Sequence, residues 1–231
     1  MKFEDLKELY LQKKKQFGAN TYKRISQLLK EAKEFHKKDW SKHPTLGRDH
    51  EQSWRAFKGK NLEKLIQFII TEEVEDLGLK VVNGNKLERS VNLPLELSKV
   101  KRNLVIDYGE FGLHLPDVDI IIYNPGSCKV LVVVSSKVTL RERIAQTGYW
   151  KLKLLQDEVT KHIRVYFVTP DEDGTLTYKK PMKKGRAIVE VDLDGSYVLT
   201  EEEIEESNKV KLFEHFIEDL KGLLKNDNEK T

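Results

Sequence analysis

The chain has 231 residues, 39% hydrophobic and 34% charged, with a net charge of +3. That is enough apolar content for one substantial core with a helical appendage, and too little net charge to identify a nucleic-acid partner by itself. No run of about 18 apolar residues is present to span a bilayer, and Met1-Lys2-Phe3-Glu4-Asp5 lacks a signal-peptide core, so a cytoplasmic location with no membrane contact is expected. Cys128 is the single cysteine, which excludes an internal disulfide and a cysteine-based zinc cluster; the six histidines show no paired ligand spacing.

Residues 2–38 read as one or two amphipathic helices with Phe3, Leu6, Tyr10, Phe17, Ile25, Leu28 and Leu29 as core positions. Residues 1–60 hold 16 basic against 8 acidic side chains, and residues 201–231 hold 5 against 10. The basic end suits contact with phosphates, although runs such as Lys13-Lys14-Lys15 also serve simply to solvate a helix face. After a polar linker with Pro44 and Gly47, a helix is expected over 60–77, with Leu62, Ile66 and Ile69 on its apolar stripe and Glu63 at the margin. A short strand at 79–82, a charged segment at 83–103 and a possible strand at 104–106 come next. Two β-branched runs, 118–123 and 129–134, flank Asn124-Pro125-Gly126-Ser127 and predict a buried antiparallel hairpin. Thr139 with Glu142 forms a capping box for a helix carrying Ile144, Leu152 and Leu155. Strands are expected at 163–168, near 187–192 and at 197–199, and Thr200 with Glu203 starts a last helix carrying Val210, Leu212, Phe213, Phe216, Ile217 and Leu220. Strands separated by helices around a hairpin suit an α/β sandwich, a mixed sheet of about five strands flanked by helices.

The hairpin also carries chemistry. Asp117 enters its first strand; Ser135 and Lys137 leave its second and, two residues apart, share a face. An acid and a lysine converging at one end of a sheet suit phosphodiester hydrolysis: the carboxylate recruits a divalent cation, and the ammonium orients the water or steadies the developing charge. The same pair also occurs as plain solvated strand ends. Asp117 and Asp119 share a strand face and either can be the main ligand; Asp117 is favoured by its place after Pro116, with Asp119 in reserve. Arg141 and Arg143 fall in the first turn of the next helix, where the dipole disfavours cations. An anionic or base-edge partner accounts for them, since arginine pairs with guanine O6 and N7 while a carboxylate such as Glu142 accepts from cytosine N4.

Taken together, Pro116-Asp117, an eighteen-residue step to Ser135, Ser-x-Lys, and Lys137-x-x-x-Arg141-Glu142-Arg143 resemble the type II restriction endonucleases of the PD-(D/E)xK superfamily. The likeness covers roughly residues 50–170 and is nearest to the branch that recognises CCGG or CCNGG cores. It implies a restriction-endonuclease-like α/β/α sandwich, Mg2+ as cofactor with no nucleotide cofactor, and double-stranded DNA as partner. It also implies a homodimer in which each subunit cuts one strand of a short palindrome. By resemblance, Arg141, Glu142 and Arg143 read C·G pairs, Asp117 holds the metal with help from Ser135, and Lys137 is catalytic. Relatives with serine in place of the sheet acid often carry a compensating glutamate on the helix after the lysine. Here Gln146, Tyr149, Trp150 and Lys151 fill that stretch. Many nucleases with this core carry a glutamate on the helix before the first sheet strand, and the resemblance assigns that second catalytic and metal-binding role to Glu63, with Glu158 in reserve.

This reading divides the chain into a helical segment at 1–50 that positions DNA or builds the dimer, a nuclease core at 51–224, and a frayed tail at 225–231. The expected activity is site-specific, metal-dependent cleavage of both strands of a C·G-containing palindrome. A repair or junction nuclease of the same fold and a non-cleaving DNA-binding protein are the alternatives.

Overall fold

The computed structural model describes residues 1–44, 49–139 and 141–228, without the side chains of residues 141–143 and 226–228. Helices α1 (Phe3–Phe17) and α2 (Ile25–Lys42), joined by a 3-10 segment at Gly18–Arg24, lead to the long helix α3 (His50–Asp76). Asp49 caps α3 by accepting the Gln52 N–H at 2.7 Å. The helix begins well before residue 60 and runs straight through Gly59. Trp54 is buried among His36 and Phe57 from α2 and α3, and that packing outweighs the roughly 1 kcal/mol a mid-helix glycine costs.

Next come β1 (Lys80–Asn83), α4 (Gly84–Arg89) and α5 (Leu95–Arg102), then a separate two-stranded ladder of β2 (Ile106–Asp107) and β3 (Leu113–His114). The expected hairpin is β4 (Ile120–Tyr123) and β5 (Val130–Ser136), every residue of which is buried. Asn124 shapes its turn by accepting the Gly126 and Ser127 N–H groups at 2.9 and 3.0 Å. Helix α6 (Arg141–Leu155), β6 (Arg164–Thr169), α7 (Lys184–Asp192), β7 (Gly195–Val198), β8 (Val210–Leu212) and α8 (Phe216–Asn228) complete the chain. The expected Thr139–Glu142 box depends on the Glu142 side chain, which lies outside the described ones.

The main sheet has six strands rather than about five, ordered β1-β4-β5-β6-β7-β8. β1, β4 and β5 are antiparallel neighbours, and β5 through β8 run parallel. Two expectations are corrected. Residues 187–192 form part of helix α7, although Ile188, Val189 and Val191 favour a strand, because Arg186 is buried and reaches Glu190 one turn on at 3.3 Å. Thr200 does not start a helix. Its hydroxyl accepts the Glu202 N–H at 3.1 Å in a local turn, and Val210–Leu212 instead adds the sixth strand beside Ser196–Val198.

Both faces of the sheet are covered. Ile120, Ile122, Val132, Val134, Tyr166 and Val168 pack in one cluster with Leu6, Leu28, Leu62, Ile66 and Phe216, so that α1, α2, α3 and α8 form one layer. Ile121, Val133, Val165 and Phe167 pack in the other with Leu87, Val100, Ile144, Leu154 and Val189 from α4 to α7. This is the mixed α/β sandwich expected. No helix among the described residues is long and apolar enough to cross a membrane.

Candidate active site

The sheet register brings Asp119 to the end of β5. Its N–H donates to Val134 O at 3.0 Å, one step beyond the Ile120–Val134 pair, which sets its side chain beside the residues that leave β5. Ser136 N–H donates to Asp119 Oδ2 at 2.7 Å, and Lys137 Nζ donates to Oδ2 at 2.9 Å and to Oδ1 at 3.1 Å. The Asp119 side chain is only 8% exposed, against 27% for Lys137. The acid is thus enclosed while the ammonium reaches the opening.

A second element positions Asp119 from behind. Gly84 N–H donates to Asp119 O at 2.9 Å, and a Cβ at residue 84 would lie 1.8 Å from Val118 O. Only glycine allows α4 to begin this close to the backbone that carries the acid.

Glu63, half-buried on α3, is close enough to Asp119 and Lys137 to feel the charge of both. Burial pushes its carboxyl up to about 7, the negative charge of Asp119 adds to the rise, and the Lys137 ammonium opposes it. Asp117 stands at the mouth of the same cleft, where Gln146 Nε2 on α6 donates to its Oδ2 at 2.9 Å. Asp117, Asp119, Ser135, Lys137, Gln146 and Thr147 line this small cleft.

The structure therefore gathers Glu63, Asp117, Asp119, Ser135 and Lys137 at one end of the sheet. It is Asp119, expected only in reserve, that holds Lys137. Glu158 is elsewhere: 85% exposed, it pairs with Lys161 in the turn after α6. Arg141, Glu142 and Arg143 occupy the first turn of α6, beginning four residues beyond Lys137; their side chains lie outside the described ones. Gln146, Thr147 and Gly84 went unassigned in the sequence. The one available signal was Gln146, a polar residue on α6 between the arginines and the aromatic pair Tyr149-Trp150.

Lys151, which occupies the stretch where a compensating glutamate was sought, is buried for a structural purpose. Its ammonium binds Asp194 at 2.7 Å and Ile163 O at 3.1 Å. Burial alone would raise the Asp194 carboxyl, but Lys151, the Val165 N–H and Arg164 together hold it below the usual carboxylate range.

Residues 96–219 match the family model described as BsaWI restriction endonuclease type 2. That segment contains Asp117, Asp119, Ser135 and Lys137, whereas Glu63 precedes it. A Methanocaldococcus jannaschii protein with the assigned name type II restriction enzyme MjaVIP is 41% identical over 192 residues, covering 81% of this chain and 83% of the relative. A Helicobacter pylori protein with the assigned name type II restriction enzyme HpyAORF263P is 37% identical over 132 residues, 57% of this chain and 67% of its own. A solved structure of the restriction endonuclease PspGI with substrate DNA aligns at 18% identity and a TM-score of 0.46, covering 89% of this chain and 76% of that one.

Proposed function

Because this chain belongs to the BsaWI family of type 2 restriction endonucleases, we propose that it hydrolyses both strands of a short palindromic DNA duplex containing C·G pairs, using magnesium at the Asp119 cleft. The observation that carries this reading is the contact of an enclosed Asp119 with Lys137 at 2.9 Å, with Glu63 on α3 within the electrostatic reach of both.

The donor set fits a hard cation. Glu63, Asp119 and Asp117 offer carboxylate oxygens, and Ser135 lines the same cleft. No three carboxylate, imidazole or thiol side chains among the described residues converge into a cage. Magnesium needs none, since it keeps several waters and binds through one or two carboxylates plus substrate phosphate. When bound, it supplies positive charge to the phosphate under attack and acidity to a coordinated water. Asp119 and Glu63 are the principal holders in this reading, and Asp117, steadied by Gln146, completes the site at its mouth. Asp119 also fixes the Lys137 ammonium through both carboxylate oxygens. Lys137 then orients the attacking water in line with the scissile bond and meets the charge that grows on the phosphoryl oxygens.

Arg141, Glu142 and Arg143 begin α6 four residues beyond Lys137, which suits base reading directly beside the cut. A two-fold symmetric site calls for a two-fold symmetric protein, so the working unit is a homodimer with one cleft per strand. Digestion of a plasmid of known sequence, with and without magnesium, is the test. Discrete magnesium-dependent fragments whose mapped ends share one palindrome are expected. A smear, a preference for branched substrates, or binding without cleavage would overturn the reading.

A further inference from the structure

A groove of about 930 Å³ lies between the N-terminal helices and the loops that follow β6 and β7. Lys23, Arg24, Lys30, Lys33 and Lys58 line one wall; Glu172, Glu201 and Glu202 line the other. Ser26 and Gln27 complete a stripe along the start of α2. From Lys23 to Lys33 the stripe extends on the order of 15 Å, the length of several phosphates at 3.4 Å per step.

The groove adjoins the reacting cleft. Glu172 N–H donates to Val138 O, the carbonyl next after Lys137, at 3.3 Å, and Thr169 Oγ1 donates to the same oxygen at 3.4 Å. On the other wall, Lys58 precedes Glu63 on α3 by five residues, roughly 7.5 Å along the axis. Four of the cations are ion-paired: across the gap, Lys58 with Glu172 at 2.9 Å and Arg24 with Glu201; on their own side, Lys33 with Glu51 at 2.7 Å and Lys23 with Glu214 at 3.5 Å. Such pairs are worth little to a free protein in water, but they keep the cations extended over the groove. A phosphate oxygen is a better partner for a guanidinium than a carboxylate shared with solvent.

We infer that this groove takes the sugar–phosphate strand of duplex DNA outside the bases being read, with phosphates pairing with Lys30 and displacing Glu201 from Arg24, Glu172 from Lys58, Glu51 from Lys33 and Glu214 from Lys23. The inference rests on the duplex-binding reading above and deepens it by placing the flanking DNA.

Salt dependence tests it. The affinity for a 40-base-pair duplex of arbitrary sequence is measured by fluorescence anisotropy over a salt series, without divalent metal. For a variant carrying Lys23→Gln, Lys30→Gln and Lys33→Gln, the slope of log affinity against log salt falls by about 2 to 3, near 0.9 per lost phosphate contact. Lys14→Gln with Lys15→Gln on α1 leaves the slope unchanged. Glu201→Gln, which frees Arg24, tightens binding about two- to fivefold. A triple variant with the wild-type slope and a Glu201→Gln protein with wild-type affinity would overturn the groove alone, as would an equal loss of slope in the α1 variant. Wild-type protein that fails to hold the duplex at low salt would overturn the duplex-binding reading as well.

Discussion

Both carboxylate oxygens of Asp119 accept from the Lys137 ammonium, and Oδ2 also accepts from the Ser136 N–H, so the carboxylate is oriented before any substrate arrives. Asp119→Asn keeps the volume and removes that charge; cleavage is expected to fall on the order of 10²–10³-fold, the size seen when one placed electrostatic group is lost. Asp117→Asn, at the rim, is expected to cost less than about tenfold on the same scale. Equal losses in a side-by-side rate assay would reject that ranking. Lys137→Ala should abolish measurable cleavage while duplex affinity stays within about twofold of wild type, because one partly buried cation already paired with Asp119 adds little to many phosphate contacts. That Lys137 lies beside Asp119 follows from the hairpin, and the apolar stripe of α3 turns Glu63 toward the same end of the sheet. The order of Asp117 and Asp119 was not legible, because it depends on strand register. The hairpin contains an irregularity between Ile122 and Tyr123, and counting back from the turn does not reveal it.

At the scale of elements, the junction of β1 and α4 holds the backbone of the acid alongside the hairpin. Gly84→Ala would drive a Cβ into Val118 O and push the backbone of Asp119 away from β5. A loss of about 1–3 kcal/mol is expected, as for other overpacked sites, together with a drop in cleavage. A urea titration and a rate assay on the same preparation check both; normal cleavage in a folded Gly84→Ala protein would show that α4 does not set the acid. The hairpin, the strand after α6 and the second half of the long helix were readable because each has a clear apolar pattern and no strong competitor. Helix α7 and strand β8 were not, and both failures are tertiary. The β-branched Ile188, Val189 and Val191 yield to the anchored Arg186, and Val210-Lys211-Leu212 finds an open strand edge at β7.

For the whole molecule, Arg186 joins three pieces of chain. It is fully buried, donates to the carbonyls of Leu176 and Glu205, and pairs with Glu190, whose other oxygen accepts Ser207 Oγ–H at 2.9 Å. Arg186→Met leaves an acid and two carbonyls without their donor, and a destabilisation of about 3–5 kcal/mol is expected; a denaturation midpoint close to wild type would contradict this. Alternation of helix and strand made the sandwich legible in outline. The depth to which α1 and α2 enter the same cluster as Ile120 and Val134 was not, because amphipathic stripes do not say which surface they cover. Strand β5 has a bearing on how this protein ages under heat. All seven of its residues are buried between strands on either side, so its amides belong to the part of the fold that opens only with global unfolding. Lys137 follows directly on that strand, and its alignment should survive until the midpoint of the melt, with activity and tertiary signal disappearing together on a temperature ramp.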